Sequence, residues 1–412
     1  MEIQIEKQRQ FPLKILLLFL FVYEFQINSL PSVFSSRRLI LLFMFISAIK
    51  RNSSFKISKL KDAAVFWAFA IYSFFMFYIN GGTGEQITGS LIYFGLYVFV
   101  LPLFFSEIFS SVEEFVSCFA WSGILQSIIV YLQYFFQPFR EFLNTHFVES
   151  GNVSFLRIDR ATGLGAEGAT LGFFLSISMF SCAYMVYKNR NVSLYTSMYI
   201  IIFVASSLAS RTGMIIGVAF ASIVLVGLIK NGAMNIVKLL FAAIPTVYIL
   251  TFLLLKCVTD ARLLYMQNWL QNVFNKDEGS TINSLSSMEI PPITVLTILG
   301  NGIRRGTLSD GTIVQNDIGF VQSYVALGLI VAVFFYIKLC EIIVKRVSIV
   351  NDKTKRVFIY ILLIVSFLLE FKEPFFLKYI VVFYIMMIVE ISSKENQGGQ
   401  YESKNISNRT SL

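Results

Sequence analysis

Thr212-Gly-Met-Ile-Ile-Gly-Val-Ala-Phe-Ala-Ser-Ile-Val-Leu-Val-Gly-Leu-Ile229 runs for 18 residues without a charge, between Arg211 and Lys230. As a helix it rises about 27 Å, close to the roughly 30 Å hydrocarbon core of a bilayer. Comparable apolar runs lie near 13–30, 37–49, 63–79, 89–105, 115–136, 169–187, 193–209, 239–255, 320–337, 357–371 and 375–391. The expected fold is therefore all-α: one polytopic membrane domain over 1–412 with about 12 transmembrane helices, in a range of roughly 10 to 13. Two connections are long, about 137–168 and about 256–319, and a tail of about 392–412 follows the last run.

Composition points the same way. Hydrophobic residues make up 56% of the chain and charged residues 14%, against about 25% charged in an ordinary soluble domain. With 43 Phe and 19 Tyr the apolar load exceeds what one soluble core buries. The net charge of +9 reads as Lys and Arg of cytoplasmic loops, since no basic block lies in a foldable soluble unit. Nucleic acid is thus not an expected partner. Cys118, Cys182, Cys257 and Cys340 lie in or beside apolar runs without CxxC spacing, and read as small core residues. Lys7, Arg9 and Lys14 precede the first run as in a signal peptide. Tyr23, Glu24 and Phe25 stand where a cleavage site would follow, so an uncleaved first helix is expected.

Orientation follows from the basic residues. With the N-terminus inside, the inner segments collect mainly Lys, among them Lys50, Lys56, Lys59, Lys61, Lys188 and Lys230. Both termini then lie in the cytoplasm and both long loops face out. The outer segments carry mainly Arg: Arg37, Arg38, Arg140, Arg157, Arg160, Arg211, Arg262, Arg304 and Arg305. Positive charge on that side opposes the topology signal. Arg rather than Lys suits bidentate recognition of phosphate or carboxylate by a planar fork. The alternative is pairing with loop acids such as Glu149, Asp159, Asp260 and Asp277.

Three segments concentrate the chemistry. The first, Phe155 to Gly168, holds Arg157 and Arg160, the glycines Gly163 and Gly165, and Glu167. Its glycines let backbone N–H groups approach a ligand; Glu167 is either a ligand contact or an ordinary acid at a helix start. The second is Ser210-Arg211-Thr212-Gly213, with apolar runs on both sides. Its Arg211 is either functional or a snorkelling residue at a tight turn. The third joins Leu299-Gly300-Asn301-Gly302-Ile303-Arg304-Arg305 to Asn316-Asp317-Ile318-Gly319, Tyr324 and Leu327-Gly328. Asp317 reads as a helix cap or as a general base beside the arginines. His146 is the single histidine, Glu24 falls inside the first run, and Glu370, Lys372 and Glu373 beside Pro374 suggest a charged turn. No DxD pair, His cluster, EF-hand-like loop or P-loop occurs, so neither a divalent metal, ATP nor another cofactor is expected.

The order Arg160-x-x-Gly163, Ser210-Arg211-x-Gly213, long outer loop, Gly300-x-Gly302, Asp317-x-Gly319, Leu327-Gly328 resembles the Wzy-type O-antigen polymerase and O-antigen ligase superfamily. The likeness covers roughly residues 115–390. It implies sugar chains on undecaprenyl pyrophosphate as substrates, joined at the outer face of a bacterial plasma membrane. Glycosyl transfer leaves negative charge on the departing pyrophosphate, which preorganised Arg donors stabilise without a metal. By that resemblance Arg160 and Arg211 grip pyrophosphate, with Arg157, Arg304 and Arg305 as helpers. Ser210, Glu167, Asn316 and Tyr324 stand as further substrate contacts. Asp317 occupies the place where ligases carry a His, which favours polymerase over ligase and leaves the base open. Membrane lipids are expected partners, and a chain-length regulator is a candidate one. The amphipathic stretch 262–274 would lie on the outer leaflet. A lipid-linked oligosaccharide flippase is the competing class; it would line a midplane cavity with its charges and show two similar halves.

Overall fold

A computed structural model of the chain describes residues 2–31, 34–50, 60–149, 154–156, 161–165, 168–230, 232, 237, 243–248, 288 and 290–410, with the backbone alone at 2–9 and 397–410. Helix makes up 76% of it. In chain order come α1 (Glu2–Val22), α2 (Ser36–Lys50), α3 (Lys61–Asn80), β1 (Thr83–Gln86), α4 (Thr88–Ile108), α5 (Val112–Phe135) and α6 (Gln137–His146). There follow α7 (Gly168–Tyr187), α8 (Val192–Ala209), α9 (Arg211–Lys230), α10 (Val295–Leu299), β2 (Ile303–Thr307) and β3 (Ile313–Val314). Last are α11 (Gly319–Leu327), α12 (Leu329–Val347), α13 (Lys353–Glu370) and α14 (Ile380–Thr410). Among the described residues, six helices are long and apolar enough to cross a membrane: α3, α4, α5, α7, α8 and α9. Of the run expected at 239–255, residues 243–248 are described and are helical. The stretch 262–274 lies outside the described residues.

The chain forms two compact units interleaved in sequence. Unit 1 comprises Met1–Phe43 and Glu113–Phe274; unit 2 comprises Met44–Val112 and Asn275–Leu412. In unit 1, α7 is buried from Leu171 through Val186, as befits a helix apolar on every side. It packs on α8 and α9 through small residues. A Cβ on Gly172 would stand 2.6 Å from Ser210 Cβ, and one on Gly213 would stand 2.7 Å from Gly172 Cα. The first helix ends at Val22, short of the expected run to residue 30. Arg37 explains the stop: its Nε donates to Phe21 O at 2.8 Å and its Nη2 to Val22 O at 3.1 Å, satisfying carbonyls that end a helix. Glu24, placed inside the first run by the sequence, instead lies past its end and pairs with Arg37 Nη1 at 2.7 Å. Ile27 then forms an antiparallel bridge with Phe147 past the end of α6, with Asn28 N donating to His146 O and Val148 N to Gln26 O.

In unit 2, aromatic rings fill the spaces between helices. Phe66 of α3 lies 4.8 Å from Phe94, 5.1 Å from Phe99 and 5.6 Å from Phe335 of α12, between ring centroids. The run expected as one span at 320–337 is two elements. Gly328 breaks it with φ 83° and ψ 156°, leaving the nine-residue α11 and the 19-residue α12. The break is fixed by backbone contact, since a Cβ on Gly300 would lie 2.5 Å from Gly328 N. A small antiparallel sheet, order β1-β2-β3, pairs Thr83 with Thr307 and Thr307 with Ile313. Charges gather where α3 begins and α12 ends: Arg346 meets Asp62 at 2.6 Å and Glu390 at 3.5 Å. The sheet adjoins the other end of α3, where Asn80 Nδ2 donates to Gly300 O at 2.7 Å.

Candidate functional site

In unit 1 the first two motif segments meet. Gln126 and Gln133 lie seven residues apart on α5, hence on one face, and both are fully buried. Gln133 Oε1 accepts from Thr162 N at 2.9 Å and Gly163 N at 2.7 Å; its Nε2 donates to Thr162 Oγ1 at 2.8 Å and Phe155 O at 3.2 Å. Gln126 Nε2 donates to Leu164 O at 3.0 Å. Such bonds satisfy backbone groups that a loop would otherwise bury unpaired. Gly165, at φ +72°, has no room for a Cβ because the Glu24 backbone lies against it. Ala161 N donates to Leu208 O at 3.3 Å, three residues before Arg211. Arg157, Arg160 and Glu167 lie outside the described residues, but Ala161 directly follows Arg160 in sequence.

Ser210 closes α8 in an extended conformation, φ −158° and ψ 135°, and Arg211 opens α9. Ser210 N donates to Ser206 O at 2.8 Å, and its Oγ accepts from Gly213 N at 3.5 Å. Arg211 is partly buried and engaged in interactions of its own. A cation in the first turn of a helix opposes the macrodipole, at a cost of about 0.3–1 kcal/mol on a surface helix. Side chain and helix end together raise positive potential at one place, a favourable setting for an anion. His146 ends α6, its Nδ1 within 2.9 Å of Phe142 O in the preceding turn.

In unit 2 the pieces of the third segment also meet. Asn301 N and Gly302 N donate to Val325 O (3.3 Å) and Ala326 O (2.9 Å), so the Gly300–Gly302 turn caps the C-terminus of α11. Tyr72 OH donates to Leu299 O at 2.5 Å and Ile87 N to Gly302 O at 3.0 Å, tying the turn to α3 and α4. Asp317 does not cap α11 with its side chain; Asn316 Oδ1 accepts from Ile318 N at 2.8 Å instead. The Asp317 carboxylate, about half exposed, meets Arg305 Nη2 at 2.5 Å through Oδ1. Arg304 pairs with Glu85 of β1. In the hairpin turn, Thr312 N donates to Asp310 Oδ1 at 2.9 Å, and this bond holds the Asp310 carboxyl below its usual range. Tyr324 OH reaches Pro292 O at 3.4 Å, beside an apolar groove of about 380 Å³ lined by Ile290, Phe320, Ala332 and Tyr336.

Glu370 does not belong to a charged turn. It is fully buried, while Glu373 pairs with Lys378. Sequence reasoning passed over Gln126 and Gln133, although two amides seven residues apart inside an apolar run are a legible signal. It also passed over the Arg37–Glu24 pair and Gly172, whose partners are remote in sequence. No known family model, curated protein or solved structure matches this chain.

Proposed function

We propose that this chain is a glycosyltransferase of the bacterial plasma (inner) membrane, a polymerase joining undecaprenyl-pyrophosphate-linked repeat units into O-antigen of lipopolysaccharide or into capsule. It crosses the bilayer about 12 times, with both termini cytoplasmic and its chemistry facing the periplasm. The observation that carries this reading is the hydrogen bond from Ala161 N to Leu208 O. Through it the segment after Arg160 docks beside the turn that carries Arg211. Two arginines from segments so joined suit the two phosphates of a leaving pyrophosphate, whose charge grows as the glycosidic bond breaks. Asp317 is the candidate to take the proton of the acceptor hydroxyl or to orient that hydroxyl. Supporting the topology within unit 2, the Arg346–Asp62 cluster and the sheet mark opposite ends of α3.

The test is the surface polysaccharide of cells carrying Arg160→Ala or Arg211→Ala, at verified membrane levels. The expected result is collapse of the ladder to single repeats, a rate loss of roughly 100- to 1,000-fold if each arginine acts as a charge-stabilising donor. Arg211→Lys is expected to fail as well, since a point charge lacks the planar fork. Long chains in both Ala variants defeat the mechanism. In a deletion strain, finished polymer on undecorated lipid indicates a ligase, and units trapped inside indicate a flippase.

A further inference from the structure

We propose that Glu370 is a positioning residue for Asp317: it fixes the first turn of α11 and, with it, the Arg305–Asp317 pair. The consequence for turnover rests on the polymerase reading; the anchoring itself does not. Glu370 ends α13 and is fully buried. Its Oε1 accepts from Tyr336 OH at 2.8 Å, and its Oε2 accepts from Phe376 N at 3.1 Å. A carboxyl in such a place is costly to desolvate, and an apolar side chain of that size would fill the space more cheaply. What the carboxyl adds is acceptance from two directions at once.

The Phe376 bond holds the carboxyl in place, and its Oε1 reaches α11 twice, by direct contact and through Tyr336. Gly319, two residues after Asp317, rests directly on the carboxyl. A Cβ there would stand 2.6 Å from Glu370 Oε1 and 2.7 Å from Pro374 Cα. This close approach accounts for the glycine of Asp317-x-Gly319. Ser323, one helical turn further along, has its Oγ 2.9 Å from Tyr336 OH and so joins the same chain of bonds. Two anchors one turn apart fix the translation and the rotation of a nine-residue helix. The Asp317 carboxylate then needs only Arg305 to set its side chain. Phe376, whose N–H binds the carboxyl, packs its ring edge-to-face on Phe367 with centroids 4.6 Å apart.

The experiment uses the full chain in lipid nanodiscs with its four cysteines replaced and spin labels at Ile313 and Ile364, both exposed within unit 2. Electron-spin distance measurements compare the parent with Tyr336→Phe, Gly319→Ala and Glu370→Gln. Tyr336→Phe keeps the ring volume and therefore the fold. All three are expected to shift or broaden the distance distribution between hairpin and α13. They should also lower kcat roughly 10- to 100-fold, as expected of a misplacement near 1 Å. KM for the lipid-linked unit should stay within about twofold. Glu370→Gln keeps one acceptor, so it should lose less than Glu370→Ala. Unchanged distances in Tyr336→Phe and Gly319→Ala overturn the proposal, whatever happens to turnover. Shifted distances with full turnover support the anchor and overturn the role of Asp317 in polymerisation.

Discussion

Where α7 crosses α9, Gly172 and Gly213 bring two backbones into contact; where α3 meets α12, Phe66, Phe69 and Phe335 fill the gap with rings. Lipid tails are as apolar as leucine, so helices in a bilayer gain little by burying apolar surface. They associate through close packing and hydrogen bonds. Unit 1 uses the first route, with Gly123 against Ser178 and Gly217 against Phe203 as further examples. The position of the Arg211 turn is therefore set by main chain, which has no alternative rotamer. Unit 2 fills the spaces between α3, α4 and α12 with large aromatic side chains. It then holds its polar segments with side-chain bonds, such as Tyr72 to Leu299 O and Asn80 to Gly300 O. The helix crossings are therefore set by backbone contact between α7 and α9 and by ring packing between α3 and α12.

This contrast predicts opposite sensitivities. Phe335→Ala removes a fully buried ring that touches Phe66, Phe69 and Phe94, leaving a void its neighbours cannot close. The expected loss is about 3–5 kcal/mol, read by thermal unfolding in nanodiscs. In unit 1 the harmful direction is enlargement. Gly213→Ala places a methyl 2.7 Å from the Gly172 main chain, and the helices must separate. We expect about 2–3 kcal/mol and, on the proposed polymerase function, loss of long polymer as Arg211 moves. If Gly213→Ala is as stable as the parent, the small-residue account of unit 1 fails.

How far each unit was legible follows from the same difference. Helices α3, α4, α5, α7, α8 and α9 coincide with apolar runs, because about 20 uncharged residues are enough to mark a span. The glycines of the Gly163 and Gly213 segments were legible as special positions, and both lie in tight contacts. The division of 320–337 was not, since Leu327-Gly328-Leu329 reads as an apolar run with one tolerated glycine. Its cause is Gly300, nearly thirty residues earlier. Nor was the sheet. Thr83-Gly84-Glu85-Gln86 has no apolar alternation, and its pairing depends on close approach of Gly84 to Gly306, a contact remote in sequence. Glu370 looked like part of a charged turn because three charges flank Pro374, yet Tyr336 and Phe376 draw it inward.

The smallest expected effects separate the two glutamines of α5. Gln133 answers two backbone N–H groups, of Thr162 and Gly163, and donates to Phe155 O. Gln133→Leu leaves those donors buried without an acceptor, and we expect about 1–2 kcal/mol. Gln126 makes one bond, to Leu164 O, and its Oε1 has no partner among the described residues. Gln126→Leu therefore removes one bond and one unsatisfied oxygen together, with a net change expected below about 1 kcal/mol. Thermal unfolding of the two variants reads the difference. On the proposed polymerase function, polymer length reads its meaning, because the segment Gln133 holds is the one that follows Arg160. If unit 1 owes its precision to backbone contact alone, Gln133→Leu will keep long chains, since the glycine crossings are untouched. Chains shortened in Gln133→Leu and normal in Gln126→Leu would show that unit 1, too, places one of its arginine segments by a side chain.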